Sequence, residues 1–173
     1  MRILVAVASK HGATEQIAVE VGQALSNALR ERGVEVDVRP VEEVRSFDPY
    51  AAAVIGSAVY VGHWMEPARH LVRDHADVLA ELPVWLFSSG PIGDPLKPDD
   101  PAVDVTEELE WSRAREHVVF AGKIDKGALG FGERAIVRAL KVPQGDFRNW
   151  TQIREWAEHI AGQLEAEWSK GDS

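Results

Sequence analysis

Residues 3–8 read ILVAVA and residues 9–14 read SKHGAT, and these two segments decide how the chain begins to fold. The first segment is apolar without interruption, which is typical of a parallel strand covered on both faces. Residues 14–32 follow with apolar side chains at helical spacing, and Gly33 marks the expected end of that helix. The chain is therefore expected to begin as a buried strand that leads through a short turn directly into a helix.

The same alternation of strand and helix patterns continues along the chain. Further strands are expected at 34–39, 51–57, 83–88 and 118–124, and further helices at 66–80, 103–116 and 151–168, the last capped by Asn149 or Thr151. Strands alternating with helices predict an α/β three-layer sandwich, with a five-stranded parallel sheet between two helical layers. No repeat or linker interrupts residues 1–173, so we expect a single domain.

Composition excludes several classes of function. The chain has 173 residues, no cysteine and a formal net charge of −9. The absence of cysteine excludes disulfides, cysteine-ligated metals and a cysteine nucleophile, and it fits the reducing cytoplasm. The acidic balance makes nucleic acid a poor partner. The six histidines show no zinc-binding spacing, so no metal site is expected.

The turn at residues 9–14 has a composition suited to an anion. Free N–H groups in the first turn of a helix, together with the hydroxyls of Ser9 and Thr14, can surround a phosphate monoester. Gly12 allows the backbone to turn tightly there. A dinucleotide fingerprint needs three glycines and this turn has one, and a P-loop is absent. The spacing alone leaves open that Ser9 and Thr14 only cap the helix.

Three other segments accompany this turn: residues 56–63 read GSAVYVGH, 88–91 read SSGP and 146–150 read DFRNW. Together with Ser-x-x-Gly-x-Thr they resemble the flavodoxin domains, and most of all the branch that contains the menaquinone-dependent protoporphyrinogen dehydrogenases. The resemblance covers the whole chain and implies a flavodoxin-like strand order of 2-1-3-4-5. It also implies that FMN binds at the loops after the first, third and fourth strands. The cofactor-binding residues it implies are Ser9, Lys10, His11, Gly12, Ala13, Thr14, Ser57, Ala58, Val59, Tyr60, Val61, Gly62, Ser88, Ser89, Gly90, Pro91 and Gly93.

The resemblance also implies an activity, without assigning catalytic residues. It implies an oxidoreductase in which flavin takes hydride from a flat organic substrate and passes electrons to a quinone. A flavodoxin-type electron carrier that only docks with redox proteins is the alternative. Many flavodoxins have an aromatic ring in the third loop; this chain lacks it, which keeps a deazaflavin coenzyme open as the ligand.

A short basic insertion is expected around residues 125–148. Arg134, Arg138 and Lys141 recur there at helical spacing. Such a segment can lie on an anionic membrane surface or face the carboxylates of a substrate, and it can equally pack against the sheet. Since the chain also lacks cysteine, the expected location is the cytoplasm, and the basic segment leaves open peripheral contact at the inner face of the membrane.

Overall fold

The computed structural model of the chain describes residues 1–90, 103–124, 145, 146 and 148–173. The strands are β1 (Arg2–Ala8), β2 (Glu35–Pro40), β3 (Ala52–Tyr60), β4 (His63–Trp64), β5 (Val84–Ser89), β6 (Glu116–Phe120), β7 (Lys123–Ile124) and β8 (Gly145–Asp146). The α-helices are α1 (Ala13–Ala28), α2 (Glu66–Asp74), α3 (Ala76–Leu79), α4 (Thr106–Ser112) and α5 (Trp150–Gly171).

The five long strands form a parallel sheet in the order β2-β1-β3-β5-β6. Since β5 and β6 are the fourth and fifth long strands along the chain, the predicted order 2-1-3-4-5 is confirmed. The short strand β4 pairs antiparallel with the end of β3, and β7 pairs with β8 in a separate two-stranded ribbon. The fold is the expected α/β sandwich.

Two hydrophobic cores lie on opposite faces of this sheet because successive side chains of a strand point to opposite faces. On one face, Ile3 and Val5 of β1 pack with the apolar sides of α1 and α5. On the other face, Leu4 and Ala6 pack with α2, α3 and side chains of α4. These four side chains are fully buried. The uninterrupted apolar run is thus explained by helices that cover both faces of the strand.

Gly56 on β3 allows an aromatic cluster to form above the sheet. A Cβ atom at this position would lie 2.0 Å from the ring of Phe87, so only glycine leaves room for that ring. Phe87 in turn packs against Phe120 and Trp156, with ring centroids 5.9 and 6.1 Å away. This cluster fixes α5 onto β5 and β6, near the ends of the strands from which the candidate loops emerge.

Several element boundaries differ from the prediction. The helix predicted over 66–80 is divided into α2 and α3 at His75, whose ring packs edge-on against Phe47 with centroids 5.2 Å apart. The helix predicted over 103–116 forms only as α4, because Arg113 adopts a left-handed conformation with φ of 51° and turns the chain toward β6. The last helix is capped by Asn149, whose side chain accepts a hydrogen bond of 3.1 Å from the Gln152 backbone.

The predicted basic insertion lies largely outside the described residues, as do Arg134, Arg138 and Lys141. In the part of the chain that the structure describes, no helix combines the length and the apolar character that crossing a bilayer requires.

Candidate functional site

The turn between β1 and α1 is open at the point where the helix begins. Gly12 precedes the first helical residue with φ of 86° and ψ of −12°, a left-handed conformation. Its backbone N–H donates to the Ser9 hydroxyl at 3.1 Å, and this hydrogen bond stabilises the conformation of the turn. A Cβ atom at Gly12 would meet nothing within 4 Å. Among the described residues, no atom therefore occupies the space into which a side chain at Gly12 would point.

The first turn of α1 leaves its backbone donors available. No side chain caps this helix among the described residues, and Gln16 donates the first helical bond, to the Gly12 carbonyl at 3.1 Å. The N–H groups before Gln16 have no intrahelical acceptor, as in every α-helix. Thr14 is 3% exposed and lies within this turn. Open space, unused N–H groups and two hydroxyls fit a phosphate monoester. We name residues 9–14 the phosphate cradle.

Arg148 lies against the phosphate cradle from the direction of β8. Its side chain is 5% exposed, and its guanidinium donates to the Ala13 carbonyl at 3.3 Å and to the Gln16 side chain at 2.6 Å. It also forms a two-bonded pair with the Asp146 carboxylate, at 2.9 and 2.7 Å. Arg148 belongs to the DFRNW segment but was not predicted as a site residue, because nothing local in the sequence indicates a contact across more than 130 residues.

The second loop is a tight hairpin that joins β3 to β4. Tyr60 pairs with His63, and the two residues between them, Val61 and Gly62, have φ of 51° and 80°. Positive φ at a β-branched residue is an outlier that costs conformational energy. Val61 is also 56% exposed, so its strained backbone presents an apolar side chain at the tip of the hairpin.

The Ser57 hydroxyl stabilises this hairpin from inside the protein. Ser57 is fully buried; its hydroxyl accepts from the Met65 backbone at 3.0 Å and donates to the Ala58 carbonyl at 2.8 Å. The side chain thus shapes the loop and leaves contact with any ligand to the rest of the segment 57–62.

Asp104 joins the hairpin to the start of α4. Its backbone N–H donates to the Gly62 carbonyl at 2.8 Å. Hydrogen bonds from the Thr106 backbone and hydroxyl hold the pKa of the Asp104 carboxyl below its ordinary value. This side of the hairpin therefore carries a carboxylate that remains ionised.

The third loop begins at Ser88, Ser89 and Gly90. Gly90 has φ of 95°, and its N–H donates to the Phe120 carbonyl at 2.8 Å, which ties the loop to the end of β6. Ser89 is 7% exposed. Pro91 and Gly93, which were expected in the same loop, lie outside the described residues.

Ser88 connects the second and third loops through a buried hydrogen-bond network. Its hydroxyl accepts from the Trp64 indole at 2.8 Å and lies 2.7 Å from Nε2 of His117. Burial lowers the pKa of the His117 imidazole, which suits a neutral ring that accepts from Ser88 at Nε2. The Ser88 side chain therefore links β4, β5 and β6 from within.

The register of the sheet brings all three loops to one edge. Ala8 of β1 lies opposite Ser57 of β3, and Ser57 lies opposite Ser88 of β5. The phosphate cradle, the hairpin and the third loop consequently leave the sheet side by side, at the carboxyl ends of neighbouring strands.

The sequence model of the flavodoxin domain matches residues 4–150, a range that includes all three loops. The chain belongs to the flavodoxin domain family. Among curated proteins this flavodoxin domain is similar to protoporphyrinogen IX dehydrogenase [quinone] of Escherichia coli K12. The two are 22% identical over 179 aligned positions, which cover 93% of this chain and 95% of the relative.

Solved structures show the same fold. A point mutant of flavodoxin from Pseudomonas aeruginosa matches with a TM-score of 0.56 and 14% identity, over 95% of this chain and 99% of that one. Rubredoxin oxygen:oxidoreductase from Desulfovibrio gigas matches with a TM-score of 0.59 and 11% identity over 96% of this chain, which spans only 37% of that protein. Membership of the flavodoxin family implies that this domain binds a flavin and takes part in electron transfer or oxidoreduction.

Proposed function

We propose that this flavodoxin domain binds FMN noncovalently and acts as an oxidoreductase, moving hydride from a flat organic substrate to the flavin and electrons onward to a quinone. The phosphate cradle supports this proposal: Gly12 is left-handed, a Cβ there would meet nothing within 4 Å, and among the described residues no side chain caps α1. The substrate class rests on the similarity to protoporphyrinogen IX dehydrogenase [quinone], whose name specifies a porphyrinogen and a quinone.

In this proposal the cradle binds the FMN phosphate through backbone N–H groups and two hydroxyls. The Ser9 hydroxyl accepts from Gly12 and retains its own proton to donate to a phosphate oxygen. Thr14 supplies the second hydroxyl from a buried position. The cradle residues Ser9, Lys10, His11, Gly12, Ala13 and Thr14 bind the phosphate, and the positive end of the helix dipole favours its negative charge.

The isoalloxazine ring is proposed to lie between the hairpin and the third loop. Ala58, Val59, Tyr60, Val61 and Gly62 contact it on one side, and Ser89, Gly90, Pro91 and Gly93 on the other. The side chains of Ser57 and Ser88 support these loops and do not contact the ring themselves, because their hydroxyls are hydrogen-bonded inside the protein. Bound FMN supplies the redox chemistry itself, while the protein sets its orientation and surroundings.

An electron carrier is the second candidate, favoured by a different observation. The flavodoxin of Pseudomonas aeruginosa is matched over 99% of its length, so this chain contains the whole of a carrier-type fold. The exposed Val61 at the hairpin tip gives such a carrier an apolar contact for a redox partner. Residues Arg134, Arg138 and Lys141 remain proposed contacts for a membrane surface or for substrate carboxylates.

The test begins with the ligand and continues with turnover. Purified protein is analysed for visible absorbance and for the mass of any released cofactor, then reconstituted with FMN and, separately, with a deazaflavin coenzyme. The FMN-loaded protein is mixed anaerobically with a porphyrinogen. We expect the flavin absorbance to bleach on mixing and to return when a quinone is added.

The outcomes separate the candidates. Absorbance that persists with a porphyrinogen, combined with a stable one-electron state on chemical reduction, favours the electron carrier. Retention of the deazaflavin coenzyme in preference to FMN replaces the cofactor in the proposal. Protein that takes up neither ligand contradicts the phosphate cradle and with it the proposed function.

A further inference from the structure

We infer that Arg148 is a positioning residue, which fixes the first turn of α1 for the phosphate group and thereby makes the site prefer FMN to riboflavin, the same ring system without phosphate. This inference rests on the proposed function, since it concerns the ligand of the same cradle.

The contacts of Arg148 hold its guanidinium rigidly. Four hydrogen bonds join it to Asp146, Ala13 and Gln16, and its plane lies over the Trp150 ring with 4.6 Å to the centroid. A side chain 5% exposed with this many partners has little freedom to move. Because Ala13 and Gln16 both belong to the start of α1, the contacts fix that turn relative to β8.

The charge of Arg148 is at the unfavourable end of the helix. The N-terminus of α1 carries the positive end of the helix dipole, where a cation is normally disfavoured and an anion is stabilised. Asp146 balances this charge in part, but its side chain is 42% exposed and its field is screened by solvent. A phosphate bound in the cradle would supply further negative charge. The arrangement is thus better suited to a loaded cradle than to an empty one.

The same contacts would exist if Arg148 only attached the β7–β8 ribbon to the rest of the fold. The two roles predict different ligand behaviour. A merely structural arginine, when removed, weakens the whole site and affects both flavins alike. Removal of a residue that positions the phosphate-binding turn weakens the affinity only for the ligand that has a phosphate.

Arg154 provides a matched control. It lies on α5 and donates to Glu20 of α1 at 3.2 Å, so it is a second arginine that bonds to α1, six residues after Arg148. Its side chain is 47% exposed, and it donates to Glu20 and Thr151, both outside the cradle. The R154Q and R148Q changes remove the same charge, but only R148Q removes a contact to the cradle.

The experiment measures the dissociation constants of FMN and riboflavin for apo-protein by flavin fluorescence, in wild type and in R148Q, R148K and R154Q. We expect R148Q to weaken FMN about tenfold or more and to leave riboflavin within about twofold, since a lost charged hydrogen bond changes affinity by that order. R148K keeps the charge but cannot reproduce the forked bond, so it weakens FMN by about threefold or more. R154Q leaves both ligands within about twofold of their wild-type affinities.

Thermal unfolding of each apo-protein shows whether the variants fold. If R148Q does not fold, the affinities of R148K for FMN and riboflavin test the inference. Equal losses for FMN and riboflavin, or an FMN affinity unchanged in R148Q and R148K, would overturn the inference. A wild-type protein that binds neither flavin contradicts the proposed function itself, and the inference about Arg148 fails with it.

Discussion

Replacement of Gly12 by alanine adds one methyl group to the phosphate cradle, and its cost can be worked out from the backbone. Gly12 has φ of 86°, where a residue with a Cβ atom is strained by about 1–2 kcal/mol. Because that Cβ would meet nothing within 4 Å, no clash adds to this cost. We therefore expect G12A to lower the free energy of unfolding of the apo-protein by about 1–2 kcal/mol, with a fall in Tm of roughly 2–4 °C per kcal/mol.

Gly33 offers a control with nearly the same local conformation. It has φ of 65°, and a Cβ there would also meet nothing within 4 Å. It ends the 3-10 turn after α1 and precedes β2, so it lies near the amino end of that strand, away from the edge of the cradle. The G33A change should lower stability by a similar amount and leave ligand affinity unchanged.

The assay is FMN titration of both variants beside chemical denaturation of their apo-forms. In G12A the new methyl group projects into the open space of the cradle, so we expect FMN to bind about tenfold more weakly, the equivalent of roughly 1.4 kcal/mol. In G33A the affinity should stay at the wild-type value. The reasoning is refuted if G12A binds FMN as tightly as wild type, or if both variants lose affinity to the same extent.

Three further changes test the packing around the site. G56A places a Cβ 2.0 Å from the Phe87 ring and should lower the free energy of unfolding by about 1–3 kcal/mol in urea denaturation; wild-type stability would show that the ring has room to move. R69M removes the 2.9 Å bond to Glu108, whose side chain is 4% exposed, and should lower the free energy of unfolding by about 1–3 kcal/mol in urea denaturation. An unchanged free energy of unfolding would show that this pair does not stabilise the fold. Burial lowers the pKa of His117, so the unfolded chain takes up a proton first as the pH falls, and wild-type stability should decrease below a pH of about 6.5. H117Q should flatten part of that decrease between about pH 8 and pH 5, and an identical slope in both proteins would contradict the assignment.

The sequence was sufficient to predict the sheet because the strands and helices follow local patterns of apolar residues, whereas the cradle remains a prediction. Six consecutive apolar residues at 3–8 require cover on both faces, and that requirement leads to helices on each side of a parallel sheet. The single glycine before the helix start, flanked by Ser9 and Thr14, left open in the sequence whether these hydroxyls cap the helix or bind an anion. In the structure Gly12 has a left-handed backbone, and within the described residues no side chain caps α1.

Features that depend on distant contacts could not be predicted in the same way. The division of the second helix at His75 arises where its ring meets Phe47, far away in the sequence. Ser57 and Ser88 occur in loop sequences that resemble ligand-binding segments. In the structure, however, the Ser57 hydroxyl accepts from the Met65 backbone and the Ser88 hydroxyl accepts from the Trp64 indole, both inside the fold. The sequence alone does not show that these two hydroxyls are buried; that follows from the way the strands and loops pack.

The order of the strands supports the position proposed for the ligand. The chain leaves β1 through α1 to reach β2 on one side, and it reaches β3 on the other side of β1 before crossing the opposite face through α2. The two crossings diverge at the carboxyl ends of β1 and β3, and such a point opens a crevice. Ala8, Ser57 and Ser88 lie at the same level across three adjacent strands. In the proposed site, a ligand held by its phosphate at α1 therefore extends toward the hairpin after β3 and the loop after β5, which leave the sheet beside the cradle. The strand order that buries residues 3–8 thus also supports the direction proposed for the flavin ring.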